Sequence, residues 1–401
     1  MKKFLSLFFA VLLLAFCGCS QDSADSEKER TDYIINENEE ITIGVIAPLS
    51  SENASIGNDV LSGVEFANNM ASSVNIDKRY NIKLSVYDCQ ENLEETAEKL
   101  ISDKVAAVIC YGADYEKTNI IIDSFESSAT SLLFIDSCSD KISDNSTSLT
   151  LSAPATYKAS VLASYISNEG FKDGAIIFEA NDYNEDFAES FASLLKDTYG
   201  VSTEVVEYSE GTDIGSVAEN KEFAFVAGNN DFSSRITKAL KETVSDLPVF
   251  LTEMYRSFDF ADTLYDDTYF LSKFEFDENN HYVTDFMNVY SNVTNVSKSE
   301  ISAAVAYGYD AYMIIYGALG SLNPNSTVNP LDSVKNSSDI ENKTIEITAS
   351  QVYDAVTKGG KVYGGPIDTI TFETDGTMKP SYIFIDGVNS GTPYMVNKFV
   401  Y

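Results

Sequence analysis

Apolar residues follow two alternating patterns along this chain. The runs ITIGVIAP (41–48), IKLSVYD (82–88), VAAVIC (105–110) and SLLFID (131–136) are short, apolar and β-branched, the pattern of strands buried on both faces. Between them the period becomes helical. In 92–103, Leu93, Ala97, Leu100 and Ile101 fall on one stripe, with Asn92 and Glu95 placed as a capping pair. Such alternation predicts a parallel sheet with helices on both faces. The pattern restarts at GAIIFEA (174–180). A helix with Phe187, Phe191, Leu194 and Leu195 on one stripe follows, then the run VSTEVVEYS and the strand FAFVAG (223–228). Next come a helix capped by Asp231, carrying Phe232, Ile236, Ala239 and Leu240, and the strand PVFLTE (248–253). The second unit thus repeats the first, which predicts two similar α/β lobes. After about residue 275 the order changes. A long helix (302–319), a Pro/Asn/Ser-rich loop (320–345), a short helix in ITASQVYDAVTK and hairpin strands turning at Asp375-Gly376 complete the chain. Chain that returns after both units implies several crossovers between them.

The length agrees: about 360 residues outside the N-terminal region exceed one ordinary core. Met1-Lys2-Lys3 followed by FLSLFFAVLLLAF has the basic start and apolar run of a secretory signal and is too short for a convincing membrane span. Phe16-Cys17-Gly18-Cys19-Ser20 resembles the lipobox of a bacterial lipoprotein, with small Gly18 before the cleaved bond. The resemblance implies a signal peptide at 1–18 and a lipidated mature N-terminus at Cys19, tethering the protein to the outer face of the cell membrane. Residues 19–40 read as a disordered polar tether.

Charge and cysteine content narrow the chemistry. The chain carries 27 Lys and Arg against 62 Asp and Glu, a net −35, and loss of residues 1–18 would remove two lysines and no acid. So acidic a surface is not expected to bind nucleic acid or anionic lipid through its body. Cys89, Cys110 and Cys138 show no CxxC spacing, so neither a zinc site nor a disulfide framework is predicted, and at most one disulfide is possible. The loop Gly44–Gly57, GVIAPLSSENASIG, lacks the GK[ST] of a nucleotide P-loop and is not GxGxxG. A backbone site for a small anion at the following helix remains open there, as does a plain solvated connector. The run from Asp182 spaces its oxygens like a calcium loop, but Phe187 and Ser193 stand where Gly and Glu are required. The single histidine, His281, lies in polar DENNHYV, and no G-x-S-x-G elbow occurs. No enzyme, metal or cofactor is expected.

IGVIAPLSSENASIGNDVLSGVEFANN resembles the opening of branched-chain amino-acid-type solute-binding proteins of ABC transporters, and the resemblance continues through VYDCQENLEETAEKLISDKVAAVIC, IIFEANDYNEDFAESF, FAFVAG, SAAVAYGYDAY and GGPIDTITFETDGTMKP. It covers about residues 40 to 401. It implies a type I periplasmic-binding-protein fold: two Rossmann-like lobes with parallel central sheets, joined by a three-crossover hinge. The lobes would be 41–157 with 281–365, and 158–280 with 366–401. It further implies an extracytoplasmic, monomeric, non-catalytic protein that traps an amino acid or related small polar solute for an ABC permease. The alternative is a sensing module of the same fold docked on a sensor kinase or chemoreceptor. Ligand positions carry over to Ser50 at the first-lobe mouth, to Ser137, Cys138 and Ser139 for a ligand carboxylate, to Tyr183 as a cleft aromatic, and to Glu253 for a ligand ammonium. Two positions depart. Asp114 stands where the family commonly has Ser, and Asn229 replaces an aromatic. A desolvated carboxylate at 114 would repel a ligand carboxylate by several kcal/mol, so either Asp114 points away or the ligand presents a cation or hydroxyl there.

Overall fold

The computed structural model of the chain describes residues 30–37, 40–50, 54–74, 81–111, 114–136, 139, 141–145, 147–253, 265–275, 279–322, 346–358 and 362–400. Cys19 and its flanking signal lie outside the described residues.

The first sheet is wholly parallel, in the order β2-β1-β3-β4-β5. Its strands are β1 (Glu40–Ala47), β2 (Asn81–Asp88), β3 (Ala107–Cys110), β4 (Ser131–Phe134) and β5 (Ser148–Thr150). Helices α1 (Ala54–Val74), α2 (Leu93–Ser102), α3 (Tyr115–Phe125) and α4 (Lys141–Asp144) connect them. Continuous apolar runs are what a sheet covered on both faces requires, and β3 and β4 are buried at every position. The second sheet repeats the order as β7-β6-β8-β9-β10, with β6 (Asp173–Glu179), β7 (Ser202–Tyr208), β8 (Phe223–Ala227), β9 (Val249–Glu253) and β10 (Thr268–Ser272) all parallel. Helices α5 (Ala155–Asn168), α6 (Asp182–Tyr199), α7 (Ile214–Ala218) and α8 (Asn230–Thr243) belong to this half.

After β10 the chain returns to the first half as α9 (His281–Thr294), α10 (Ala303–Leu322) and α11 (Ala349–Thr357). There Phe286, Tyr312, Ile347 and Val352 join the core of β1 and α1. A small sheet follows, β11 (Tyr363–Gly364), β12 (Thr369–Phe372) and β13 (Met378–Lys379), with Gly376 at φ +83° in the expected turn. Residues 366–379, assigned by the resemblance to the second lobe, place Ile367, Ile370 and Met378 in this first core. The chain then crosses back, and β14 (Tyr382–Asn389) and β15 (Thr392–Val400) extend the second sheet antiparallel from β10. Three crossovers therefore join the two sheets, at 151–154, between Ser272 and His281, and at 380–381. The fold is α/β with two Rossmann-like halves, as the resemblance implied.

Two local features govern the packing. Helices α1 and α10 approach through reciprocal glycines: a Cβ on Gly63 would sit 2.0 Å from the Val305 carbonyl oxygen, and one on Gly308 would sit 2.1 Å from that of Val60. Residues 31–37, read as the end of the tether, pack on the first core. The Tyr33 hydroxyl lies 2.6 Å from Thr130 Oγ1 and donates to the Val105 carbonyl, Ile35 is buried, and Asn36 Oδ1 accepts from Ile347 N. Tyr33-Ile34-Ile35 is the one apolar triplet in that polar segment, and burying it offsets the ordering of its backbone.

Candidate functional site

In open α/β sheets a ligand crevice forms beyond the strand C-termini, where neighbouring connections leave in opposite directions. Here those switch points fall between β1 and β3 in the first sheet and between β6 and β8 in the second. Residues just after these four strands are therefore the first candidates.

At the first switch point, β1 runs into Pro48-Leu49-Ser50. Asp88, the last residue of β2, gathers this loop: its Oδ1 accepts from Leu49 N and Gln90 N, each at 3.1 Å, and the Ser50 hydroxyl bonds to it as well. Burial pushes the Asp88 carboxyl up, but the Ser50 hydroxyl, the two N–H groups and the Lys117 ammonium together hold it below its usual range. Ser50 thus fixes its own loop through Asp88. Gly57 is needed nearby, because a Cβ there would meet the Pro48 carbonyl oxygen at 1.9 Å as α1 packs on the end of β1.

Past β3, Asp114 caps α3, its carboxylate accepting from Lys117 N at 2.9 Å. That local role explains an acid at this position without a ligand. Lys117 Nζ lies 3.9 Å from Cys89 Sγ, so Asp88, Cys89, Asp114 and Lys117 share one mouth. Cys89 and Cys110 are buried free thiols. Ser139 is buried, and its hydroxyl donates to Asn119 Oδ1 at 2.5 Å while accepting from Lys141 N at 3.3 Å. Its proton is committed to the first lobe's own framework. Ser137 and Cys138 lie outside the described residues.

At the second switch point, Glu179 ends β6, a position that carries no site signal in the sequence. Asn229, just past β8, donates to it twice, from Nδ2 to Oε1 at 3.1 Å and from its backbone N to Oε2 at 3.2 Å. Asn229 Oδ1 accepts from Phe232 N at 2.9 Å and caps α8. The cap expected at Asp231 is therefore Asn229. Asp231 lies in the first helical turn, where its charge still suits the helix dipole. Burial raises the Glu179 carboxyl above its usual range; the Asn229 N–H and the charge of Arg235 oppose this, while the charges of Asp114 and Asp231 add to it. Asp114 caps a helix of the first half and Glu179 ends a strand of the second, so the charge at one mouth is felt at the other.

Tyr183 stands in the first turn of α6, which Asn181 caps through Asn184 N at 2.9 Å. Half-buried, it lines a hollow of about 160 Å³ with Ala155, Thr156 and Ala159 of α5 and Phe187 of its own helix. Glu253 closes β9 opposite Leu271, one residue past a bulge. Ser50, Asp114, Tyr183 and Asn229 therefore all fall at switch-point loops or the helices they start. His281 is exposed at the start of α9, its ring 4.0 Å from that of Tyr282. Among the described residues no group of three or more His, Cys, Asp or Glu side chains is arranged to hold a metal ion, and no helix is long and apolar enough to cross a membrane.

The same architecture recurs in solved structures. The branched-chain amino acid transporter substrate-binding protein LivJ from Streptococcus pneumoniae, in complex with isoleucine, superposes with a TM-score of 0.71 at 16% identity, covering 90% of this chain and 99% of that one. The leucine-binding protein LivK from Thermotoga maritima gives 0.72 at 15% identity, covering 90% and 99%. A solute-binding protein of an ABC transporter from R. palustris, in complex with benzoate, gives 0.69 at 11% identity, covering 89% and 96%. No protein-family model matches the sequence, and comparison with curated proteins finds no match. The fold is thus that of the type I periplasmic binding proteins. Within that class it is shared with substrate-binding proteins of branched-chain amino acid ABC transporters.

Proposed function

We propose that this chain is the extracytoplasmic solute-binding protein of an ABC uptake system, anchored by lipid at Cys19, and that it traps an amino acid or related small polar solute between two lobes for delivery to a permease. The lobes are the two sheets with their helices, hinged where the chain crosses at 151–154, between Ser272 and His281, and at 380–381. No catalytic step is part of this reading. The observation that carries it is the pair of switch points at the ends of two sheets with the same strand order, one bearing Asp114 and the other Glu179, whose carboxyl the Asp114 charge helps to raise. A solute ammonium placed between these carboxylates would relieve their repulsion and favour the closed arrangement over the open one. On this reading Glu179, held by Asn229, joins Glu253 as an acceptor for the ammonium, Tyr183 supplies an apolar face, and the 137–139 loop meets the solute carboxylate through its backbone.

Calorimetry on the full-length protein, unfolded and refolded to strip carried-over ligand, tests this against amino acids, their amides, polyamines and organic acids. The expected result is saturable binding of an amino acid, weakened at least tenfold by Glu179→Gln and by Tyr183→Ala, roughly 1.4 kcal/mol or more. Affinity unchanged in both variants, or no binding across the panel, would remove the cleft from consideration.

A further inference from the structure

A second concavity lies away from the sheet mouths. It is a cavity of about 220 Å³ on the first half, between α1, α9, α10 and the β11 turn. Phe66 and Met70 of α1, Tyr282, Phe286 and Val289 of α9, and Tyr309 of α10 form its walls. The rings are fixed by one another: Phe286 lies 5.1 Å and Phe66 5.9 Å from Tyr309, centre to centre, and Phe66 meets Phe286 edge-on at 6.3 Å. Gly364 keeps the site open on the remaining side, since a Cβ there would sit 2.4 Å from the Tyr282 ring. Asp285, which is exposed, is the only carboxylate among the lining residues; His281 also lines the cavity, and no Lys or Arg does. Nothing in the switch-point site uses these residues.

Three features select an occupant. Aromatic faces attract cations, a rim carboxylate pairs with them, and a chain of net charge −35 concentrates them at its surface. The same features disfavour anions. A dry cavity of roughly 150 Å³ admits benzene, so this one has room for a single ring and a short arm. We infer that the cavity is a second ligand site, separate from the cleft, which takes a single-ring organic cation with its ring against Phe66, Phe286 and Tyr309 and its ammonium at Asp285.

The chain has no tryptophan, and Val289 is 37% exposed, so Val289→Trp introduces one reporter at the cavity wall. Phenethylammonium added to this full-length variant should change its emission saturably. Asp285→Asn in the same background should weaken binding about fivefold, the upper range for a solvent-exposed ion pair. Tyr282→Ala should weaken it as well, Glu179→Gln should leave it unchanged, and phenylacetate should bind more weakly than phenethylammonium. Absence of a saturable response overturns the inference. So does equal binding of phenylacetate, or a response lost with Glu179→Gln and retained with Asp285→Asn. Because the reporter sits in this cavity, the outcome is read whether or not the cleft binds an amino acid.

Discussion

Replacing Lys273 with methionine should break the tie between two crossovers. Lys273 follows β10, and its ammonium lies 2.6 Å from Asp368 Oδ2, with both side chains fully inaccessible. The ammonium also donates to the Tyr382 carbonyl at 3.3 Å, and Asp368 Oδ2 accepts from Ser381 N at 2.9 Å, so the pair links residue 273 to the 380–381 crossing. Removing water from two charges costs several kcal/mol each, and their attraction, about 6 kcal/mol at an effective dielectric constant near 20, offsets part of that. Methionine removes the attraction and leaves Asp368 buried with only N–H donors, for an expected loss of about 3–5 kcal/mol. With an unfolding entropy of about 2.1 cal/mol/K per residue over roughly 370 residues, each kcal/mol moves the midpoint by about 1.3 °C, so Tm should fall by about 4–6 °C. Circular dichroism melts of the wild type, Lys273→Met, Asp368→Asn and the double variant give the coupling. The double variant should recover most of the loss, because it removes both charges together. A Lys273→Met variant within about 1 kcal/mol of wild type, or single losses that simply add, would refute the account.

Three further outcomes are expected. Burial raises the Asp310 carboxyl well above its usual range; the Ile367 N–H and the Lys273 charge oppose this, and Asp368 adds to it. Its favourable contribution is therefore complete below about pH 4 and is lost as pH rises through the raised folded value. Asp310→Asn removes that loss, so its Tm relative to wild type should climb from pH 5 to 8; a constant difference in melts across that range would contradict this. Asn92→Ala and Asn229→Ala each delete a helix cap and should each cost about 1 kcal/mol in urea unfolding; only Asn229→Ala should also weaken solute binding, and equal effects on binding would separate Asn229 from the site. Gly308→Ala forces a methyl against the Val60 carbonyl and should cost at least 1–3 kcal/mol by the same urea measurement; a neutral result would mean that α1 and α10 part easily.

The strands were legible because a sheet covered on both faces imposes unbroken apolar runs: ITIGVIAP, VAAVIC and FAFVAG each became strands within two residues of their expected ends. The restart of the pattern at residue 174 is visible in the matching orders of the two sheets. Helix α9 carries a stripe at Val283, Phe286, Met287 and Tyr290, but its start overlaps the polar run DENNHYV, which hides it in the sequence. Strand β10 is not legible because TYFLS follows a mixed run of acids and aromatics with no period. Asn229 outcompetes Asp231 as a cap because it also satisfies Glu179, a partner 50 residues away that no local pattern encodes. For the same reason Glu179 itself read as an ordinary strand end. Asp114 looked like a ligand-site anomaly from the sequence, and its capping bond to Lys117 N is a three-residue local fact that the capping rules could have supplied.

The hairpin β14–β15 bears on how the molecule is made. Each core draws on chain from both sides of the other: α9, α10 and β12 complete the first only after the second has been traversed, and β10 gains its antiparallel neighbour only from the last twenty residues. A chain emerging from its N-terminus therefore carries two unfinished halves until synthesis is nearly over. Neither half is complete until then, and a stop codon shortly before residue 382 would leave the second sheet with a bare edge at β10.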